Sequence, residues 1–171
     1  RLTVRELDVM KKISARFSFL KKGAVRMDEA IPVALEVENG TPHLLRFPEL
    51  GAQNTFISMR VTRETPPQGA DFFYPSEKLP GSSVKFTIDD GSAWAWLKRV
   101  PFVVLKPGEK YKLDLSVEEA YRFRGPGKYV VKFMTAIPLL FGEPDGEFAD
   151  VCAIRLPVES SAIFIVTGDG E

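Results

Sequence analysis

The chain has 171 residues, with 23 basic and 23 acidic side chains and a formal net charge of zero. This balance argues against a nucleic-acid or anionic-membrane partner recruited by bulk charge. Hydrophobic residues make up 44% of the chain, enough for a core without disulfides, and the single cysteine, Cys152, excludes an intrachain disulfide. No run approaches the roughly 18 apolar residues of a transmembrane helix. We therefore expect one domain over residues 1–171, with no membrane insertion.

Alternating apolar and polar residues predict short β-strands throughout the chain. In the first clear strand, Ile13, Phe17 and Phe19 share one face. The last strand is apolar on both faces, so we expect both of its faces to be covered. The many Gly and Pro residues and the lack of a long amphipathic helix predict a β-sandwich. The predicted strands are residues 13–20, 29–38, 43–47, 55–63, 84–88, 92–98, 100–105, 111–115, 129–133, 148–158 and 161–167.

A long aromatic and proline-rich insertion, residues 64–98, interrupts this pattern. Loops of such length in compact domains are either functional or disordered, and consecutive aromatic residues favour packing. We expect Phe72, Phe73 and Tyr74 in a loop and Trp94 and Trp96 on one face of a strand. Exposed aromatic side chains stack on sugars or anchor protein partners, so these five residues form the candidate binding surface. The competing interpretation is that they pack into the core.

The segment of residues 105–133 predicts the corner that organises the sandwich. Ser116 begins a short helical turn, and Glu119 is placed to complete a capping box with it. Gly127 closes a Gly-Pro-Gly turn, and Tyr129 enters the next strand two residues later, the arrangement of a tyrosine corner in immunoglobulin-like sandwiches. We assign Tyr121, Gly127 and Tyr129 a structural role. The predicted fold is thus an all-β, immunoglobulin-like sandwich with one short helical turn.

Four motifs carry a resemblance to a known family. They are V-x-N at residues 37–39, L-x-P-G-E at residues 105–109, D-L-S-x-x-x-x-Y at residues 114–121 and P-G-x-Y-x-V at residues 126–131. Together they resemble the immunoglobulin-like domain that precedes the catalytic domain of deuterolysin-type (aspzincin) metalloproteases. They are more loosely similar to the intracellular proteinase inhibitor family of bacilli. The resemblance covers residues 29–133, and its motifs specify fold better than function.

The chain departs from that family in its catalytic residues. The zinc helix of aspzincins needs the motif H-E-x-x-H, and this chain has one histidine, His43. The resemblance therefore implies an accessory, propeptide-like or inhibitor-like module of bacterial origin that works outside the cytoplasm, as a secreted, periplasmic or cell-surface domain.

Chemistry-bearing motifs are otherwise scarce. His43 and Cys152 provide too few ligands for a zinc site, and neither a nucleophile elbow nor a phosphate-binding loop occurs. Asn39-Gly40-Thr41 matches an N-glycosylation triplet but is explained as a turn. We expect no catalytic residue, metal or cofactor. The first functional hypothesis is a non-catalytic module that binds another protein, with a protease as one candidate; the alternative is a carbohydrate-binding module.

Overall fold

A computed structural model of the chain describes residues 8–50, 57–65, 68–73, 102–141 and 152–168, with residues 68–73, 141 and 152–154 described by their backbone alone. This part of the chain contains ten strands, one 3-10 turn and helical residues at positions 8–10. The strands are β1 Ile13–Phe19, β2 Gly23–Arg26, β3 Pro32–Asn39, β4 Leu45–Pro48, β5 Ile57–Thr65, β6 Gln68–Phe73, β7 Phe102–Leu105, β8 Lys110–Ser116, β9 Gly127–Phe141 and β10 Cys152–Thr167. The 3-10 turn is Val117–Glu119.

The strands form two sheets. The smaller sheet has three strands in the order β1-β3-β8, and the larger sheet runs β2-β10-β9-β4-β7, with β5 paired to β9 and β6 paired to β5. Every described pair is antiparallel except β2 with β10. The prediction of an all-β, immunoglobulin-like sandwich with one helical turn is confirmed.

The chain crosses from the smaller sheet to the larger one between β1 and β2. The amide of Leu20 still donates to the carbonyl of Pro32 in the smaller sheet (3.0 Å), whereas Gly23 already pairs with Phe164 of β10. Gly23 has φ +84°, a left-handed conformation that glycine adopts at little cost. The local sequence does not predict β2, because two lysines and this glycine are typical of a strand end.

Aromatic side chains join the two sheets. Phe17 and Phe19 of the smaller sheet pack on Phe133 of β9, with ring centroids 5.6 and 5.9 Å apart, and Phe19 also contacts Phe164 of β10 at 5.9 Å. All four rings are buried. Burying a phenylalanine side chain stabilises a fold by about 1.5–3 kcal/mol, so this cluster is a major part of the hydrophobic core.

The two long strands β9 and β10 replace shorter predicted ones. The sequence pattern predicts that one strand ends at residue 133 and that the last segment divides at residues 159–160, yet β9 and β10 pair without a break from Gly127–Val166 to Phe141–Cys152. The prediction that these segments form separate short strands was therefore wrong. The polar residues at 159–160 are tolerated because the ladder continues on both sides of them.

Two prolines within this ladder occupy positions that need no amide hydrogen. Pro138 is the partner of Arg155, and Pro157 is the partner of Ala136, so both belong to the same alternate set of residue pairs. Since proline cannot donate, this set points away from the β9–β10 ladder. On β9, the backbone nitrogen of Pro138 faces the side where β5 and β4 pair. It lies between the pairing with β5, which ends at Thr135, and the pairing with β4 at residue 140. Pro157 correspondingly points to the outer edge of β10.

Asn39 ties the two sheets together at one end of the sandwich. Its side chain is completely buried, and its Nδ2 donates to the carbonyls of His43 (2.8 Å) and Leu105 (2.9 Å). Its Oδ1 accepts from the amide (3.0 Å) and the hydroxyl (2.7 Å) of Thr41. Its backbone bonds residues 108 and 109, so the V-x-N and L-x-P-G-E motifs meet here. Because both amide hydrogens are used, the folded chain does not offer Asn39 for glycosylation.

The predicted insertion begins as regular structure. β5 extends to Thr65, and β6 pairs with it as a hairpin, so the expectation of irregular structure from residue 64 is wrong for residues 64–65 and 68–73. The predicted strands at residues 84–88 and 92–98 lie outside the described residues.

Replacing Asn39 by Asp should destabilise the fold by about 3 kcal/mol, because two donors become acceptors that face buried carbonyl oxygens. Urea denaturation of wild type and variant measures the change. As a control, Glu38→Gln alters an exposed neighbour and should change the free energy of unfolding by less than about 0.5 kcal/mol. A loss below about 1 kcal/mol for Asn39→Asp would show that the network contributes little.

Candidate functional site

The aromatic residues predicted as a binding surface fall only partly within the described chain. Phe72 and Phe73 belong to β6, and so lie on a strand paired with β5 rather than in the expected loop. Tyr74, Trp94 and Trp96 lie outside the described residues. The carbohydrate hypothesis depends on these three and stays a prediction.

The residues assigned to the structural corner do come together. Tyr129 is completely buried, and its hydroxyl donates to the carbonyl of Gly125 at 2.9 Å, the bond that defines a tyrosine corner. Its ring packs against Phe123 (4.7 Å between centroids), which in turn contacts Tyr121 at 5.7 Å. The guanidinium of Arg63 lies 5.5 Å from the Tyr129 centroid. These contacts hold the corner rigidly against β5 and β9.

Gly127 is required by a close approach of two strands. It has φ +157°, and a Cβ added to it would lie 2.1 Å from the carbonyl oxygen of Thr65 and 3.0 Å from Nε of Arg63. Since the first contact is with backbone, no side-chain rotation relieves it. This position therefore admits glycine alone without separating β5 from β9.

Beside the corner lies a cleft of about 440 Å³. It opens between the end of β2 and the 3-10 turn that follows β8, and its size falls within the range of small-molecule sites. Its buried surface comes from Ile31, Val117, Tyr121 and Phe123, and its rim comes from Met27, Asp28, Glu29, Glu118 and Arg122.

Glu118 closes one wall of this cleft. Its carboxylate accepts a hydrogen bond from the amide of Ile31 (3.1 Å), and the carbonyl of Ile31 accepts one from the amide of Val117 (3.1 Å). The capping box expected between Ser116 and Glu119 is not formed, because Ser116 makes no side-chain bond to the turn. The 3-10 turn is instead held through backbone and carboxylate bonds to the start of β3.

Glu29 is held as a carboxylate. Its side chain forms an ion pair with Lys21 and accepts the backbone amide of Arg26 at 2.9 Å. The hydrogen bond from Lys21, followed by that from Arg26, lowers the pKa of Glu29 below its ordinary value. Glu29 is therefore ionised at neutral pH and is poorly suited to act as a general acid.

The acidic rim has structural partners rather than the environment of a catalytic pair. Asp28 lies 3.5 Å from Arg26, and Glu29 and Glu118 bond backbone amides. Within the described residues, no three His, Cys, Asp or Glu side chains are placed to hold a metal ion. No helix in the same residues is long and apolar enough to span a membrane. The cleft offers shape and charge for binding, without a positioned nucleophile.

A second candidate surface lies on the outer face of the larger sheet. Phe164 and Val166 of β10 point into the core, whereas Ile163 and Ile165 are 52% and 47% exposed. The expectation that both faces of this strand are covered is therefore wrong for the described chain. Ile163 is the partner of Val130 on β9, and Ile165 is the partner of Ala24 on β2. We call Ala24, Val130, Ile163 and Ile165 the apolar patch.

Charged pairs surround the apolar patch. Lys132 and Glu159 lie 2.8 Å apart, and Lys128 and Glu64 lie 2.7 Å apart. An apolar centre within a charged border is the usual anatomy of a protein-binding surface.

The outer face of the smaller sheet differs. Its cross-strand neighbours Arg16 and Glu36 (3.0 Å) and Lys110 and Glu38 (3.5 Å) form exposed ion pairs typical of a solvated face. The two outer faces of the sandwich are thus chemically distinct.

Sequence reasoning missed the cleft and found part of the patch. Ile31 and Glu118 are 87 positions apart, so no local pattern predicts their contact. The apolar run of residues 161–166 is visible in the sequence. Its period of two places Phe164 and Val166, which are buried, on the opposite face from Ile163 and Ile165, which are exposed.

Comparison with known proteins gives weak likenesses. No family model and no curated protein matches the chain. Among solved structures, a mutant β-glucosidase from Listeria innocua in complex with laminaribiose has 13% identity and a TM-score of 0.37, over 85% of this chain and 16% of that chain. The CARDB domain of a Pyrococcus furiosus protein in complex with di-metal ions has 9% identity and a TM-score of 0.34, over 92% of this chain and 94% of that chain. These scores support no inference about activity.

Replacing Gly127 by Ala should destabilise the fold by about 3 kcal/mol, because the new methyl group must push β5 away from β9. Thermal and urea unfolding measure the effect. Gly168→Ala is the matched control, since a Cβ there would meet only Cγ of Pro126 at 3.8 Å. Equal stability of the two variants would contradict the close approach.

The lowered pKa of Glu29 predicts a pH dependence with a defined sign. The contribution of Glu29 to stability is present above its unfolded pKa and is lost as the pH falls through the lower folded pKa. Lys21→Met should raise the pKa of Glu29 toward its ordinary value, measured by NMR titration of the side-chain carboxyl. Lys22→Met, at an exposed neighbour, should leave that pKa unchanged. An unaltered titration in Lys21→Met would contradict the ion pair.

Proposed function

We propose that this domain is a non-catalytic module that binds another protein through the apolar patch on the outer face of the larger sheet. The observation that supports it most is the half exposure of Ile163 and Ile165, side by side on a strand whose other face is core. Contiguous apolar surface within a polar border is typical of interaction sites, because monomeric proteins rarely expose large patches of this kind.

The two isoleucines would supply part of the energy that a specific contact needs, at the centre of a larger interface. Full burial of an isoleucine side chain contributes about 1.5–3 kcal/mol, so covering the exposed half of each of these two contributes about 1 kcal/mol apiece. The surrounding ion pairs add orientation more than affinity, because exposed pairs of this kind contribute little. A flat strand surface with these properties suits a protein partner better than a small ligand.

The cleft supports the non-catalytic part of the proposal. Glu29 and Glu118 are committed to backbone amides, and Glu29 is stabilised in its charged form. General acid-base catalysis by two carboxylates needs one group with a raised pKa, and Glu29 is shifted in the opposite direction.

The family resemblance suggests the type of module and the class of partner. It implies an accessory or inhibitor-like module that works outside the cytoplasm, and it makes a protease the first candidate partner. Carbohydrate binding, the alternative, has no support from the described residues.

Two variants test this function. Wild type and Ile163→Lys are used in parallel as baits on material from the source organism, and a protein captured by wild type alone is then purified. Its affinity, measured by calorimetry, should fall by about tenfold or more in Ile163→Lys, since the lysine loses the apolar contact and brings a charge into the interface.

Val104→Lys is the matched control, because Val104 is also 50% exposed and lies on the edge strand β7. It should leave the affinity unchanged. The proposal fails if Ile163→Lys binds the purified partner as tightly as wild type. It also fails if wild type captures no protein while its tryptophan fluorescence responds to polysaccharides.

A further inference from the structure

The strand β1 forms an edge of the smaller sheet. Among the described residues it pairs only with β3, through an unbroken register from Ile13–Asn39 to Phe19–Val33. An edge strand presents unpaired backbone groups that recognise another extended strand.

Two hydrogen bonds determine which backbone groups of β1 are free. Just beyond the two ends of the strand, the amide of Leu20 donates to Pro32 (3.0 Å) and the amide of Gly40 donates to Lys12 (2.9 Å). Even-numbered residues therefore bond β3, because the pairs alternate along an antiparallel ladder. The amides and carbonyls of Ile13, Ala15, Phe17 and Phe19 consequently point to the open edge.

Apart from β6, which pairs with β5 alone, the other edges of the described sheets carry features that discourage pairing, and β1 does not. β8 bears the exposed lysines 110 and 112, the outer edge of β10 contains Pro157, and β2 and β7 have four residues each. Short length, lysine and proline are common protections of edge strands. β1 has seven residues and one charged side chain, Arg16. The Nε (3.2 Å) and Nη2 (3.0 Å) of Arg16 both donate to the carboxylate of Glu36 in the same sheet.

We propose that a second copy of this chain pairs with β1 in an antiparallel manner, joining two three-stranded sheets into one continuous sheet. An antiparallel edge is self-complementary under a two-fold axis, because each free amide meets a carbonyl of the copy. The ion pair of Arg16 with Glu36 reduces the charge repulsion that the Arg16 side chain, the one charged residue within β1, would bring to such pairing. This interface is separate from the apolar patch and does not depend on the proposed function.

The free groups also restrict the possible registers. Odd-numbered residues must face odd-numbered residues, and a centre at residue 16 would place Arg16 opposite Arg16, which like charges disfavour. A centre at Phe17 instead places Arg16 opposite Ser18 of the copy and Ala15 opposite Phe19 of the copy, and its only opposed like charges, Lys12 and Lys22, lie outside β1. It also brings Leu20, 60% exposed, across from Ser14 of the copy. The most exposed large apolar side chain of the described residues is thereby partly covered.

Sedimentation of the full chain from low micromolar to submillimolar concentration tests the pairing. Wild type should show a monomer–dimer equilibrium. Ala15→Pro removes an amide that points to the open edge and inserts a ring there, so its dimer dissociation constant should rise by about tenfold or more while circular dichroism shows a native fold. Ser14→Pro removes an amide bonded to β3 and should lower the thermal stability strongly.

Hydrogen exchange of the wild-type protein keeps the test independent of these variants. The amides of Ala15 and Phe17 should exchange more slowly as concentration rises, and that of Leu20 should not depend on it. A monomer at every concentration would overturn the proposal, as would exchange at residues 15 and 17 that is independent of concentration. A dimer that survives Ala15→Pro but dissociates in Ile163→Lys would assign self-association to the apolar patch instead.

Discussion

The continuous antiparallel ladder between β9 and β10 is the constraint on which the rest of this sandwich depends. A central strand of 15 residues must satisfy its backbone groups on two sides. On one side β10 does so over the whole length of β9, and on the other side β5 and β4 divide the task. Pro138 lies where one described partner gives way to the next, so the residue without an amide hydrogen falls where none of the described strands pairs with that side of β9.

At each end of the sandwich, a buried polar side chain holds neighbouring segments together through hydrogen bonds. At one end, Asn39 satisfies four hydrogen bonds through its side chain alone and joins two turns that are far apart in sequence. At the other end, Tyr129 bonds the carbonyl of Gly125, and Gly127 allows β5 and β9 to approach. Buried polar groups stabilise a fold only when every donor and acceptor is matched, and the geometry at Asn39 meets that condition.

The two sheets consequently present different surfaces to their surroundings. The smaller sheet has an outer face of exposed ion pairs, and its open side is the edge of β1. The larger sheet has an apolar patch at Ile163 and Ile165 and carries the β5–β6 hairpin that contains Phe72 and Phe73. Backbone pairing at an edge and side-chain burial on a face are different modes of recognition, so one domain can use both at once.

The sequence by itself determined the fold class and its corner, because strand periodicity and turn chemistry are local. Period-two patterns located β1, β3 and β5 to within a few residues, and the Gly-Pro-Gly turn followed by Tyr129 identified the corner. Tertiary structure alone decided which local breaks are real: Glu159 and Ser160 separate two predicted strands but do not interrupt the ladder, because the partner strand continues past them. It also decided the contact of Ile31 with Glu118 and the exposure of Ile163, because both depend on which distant strands become neighbours.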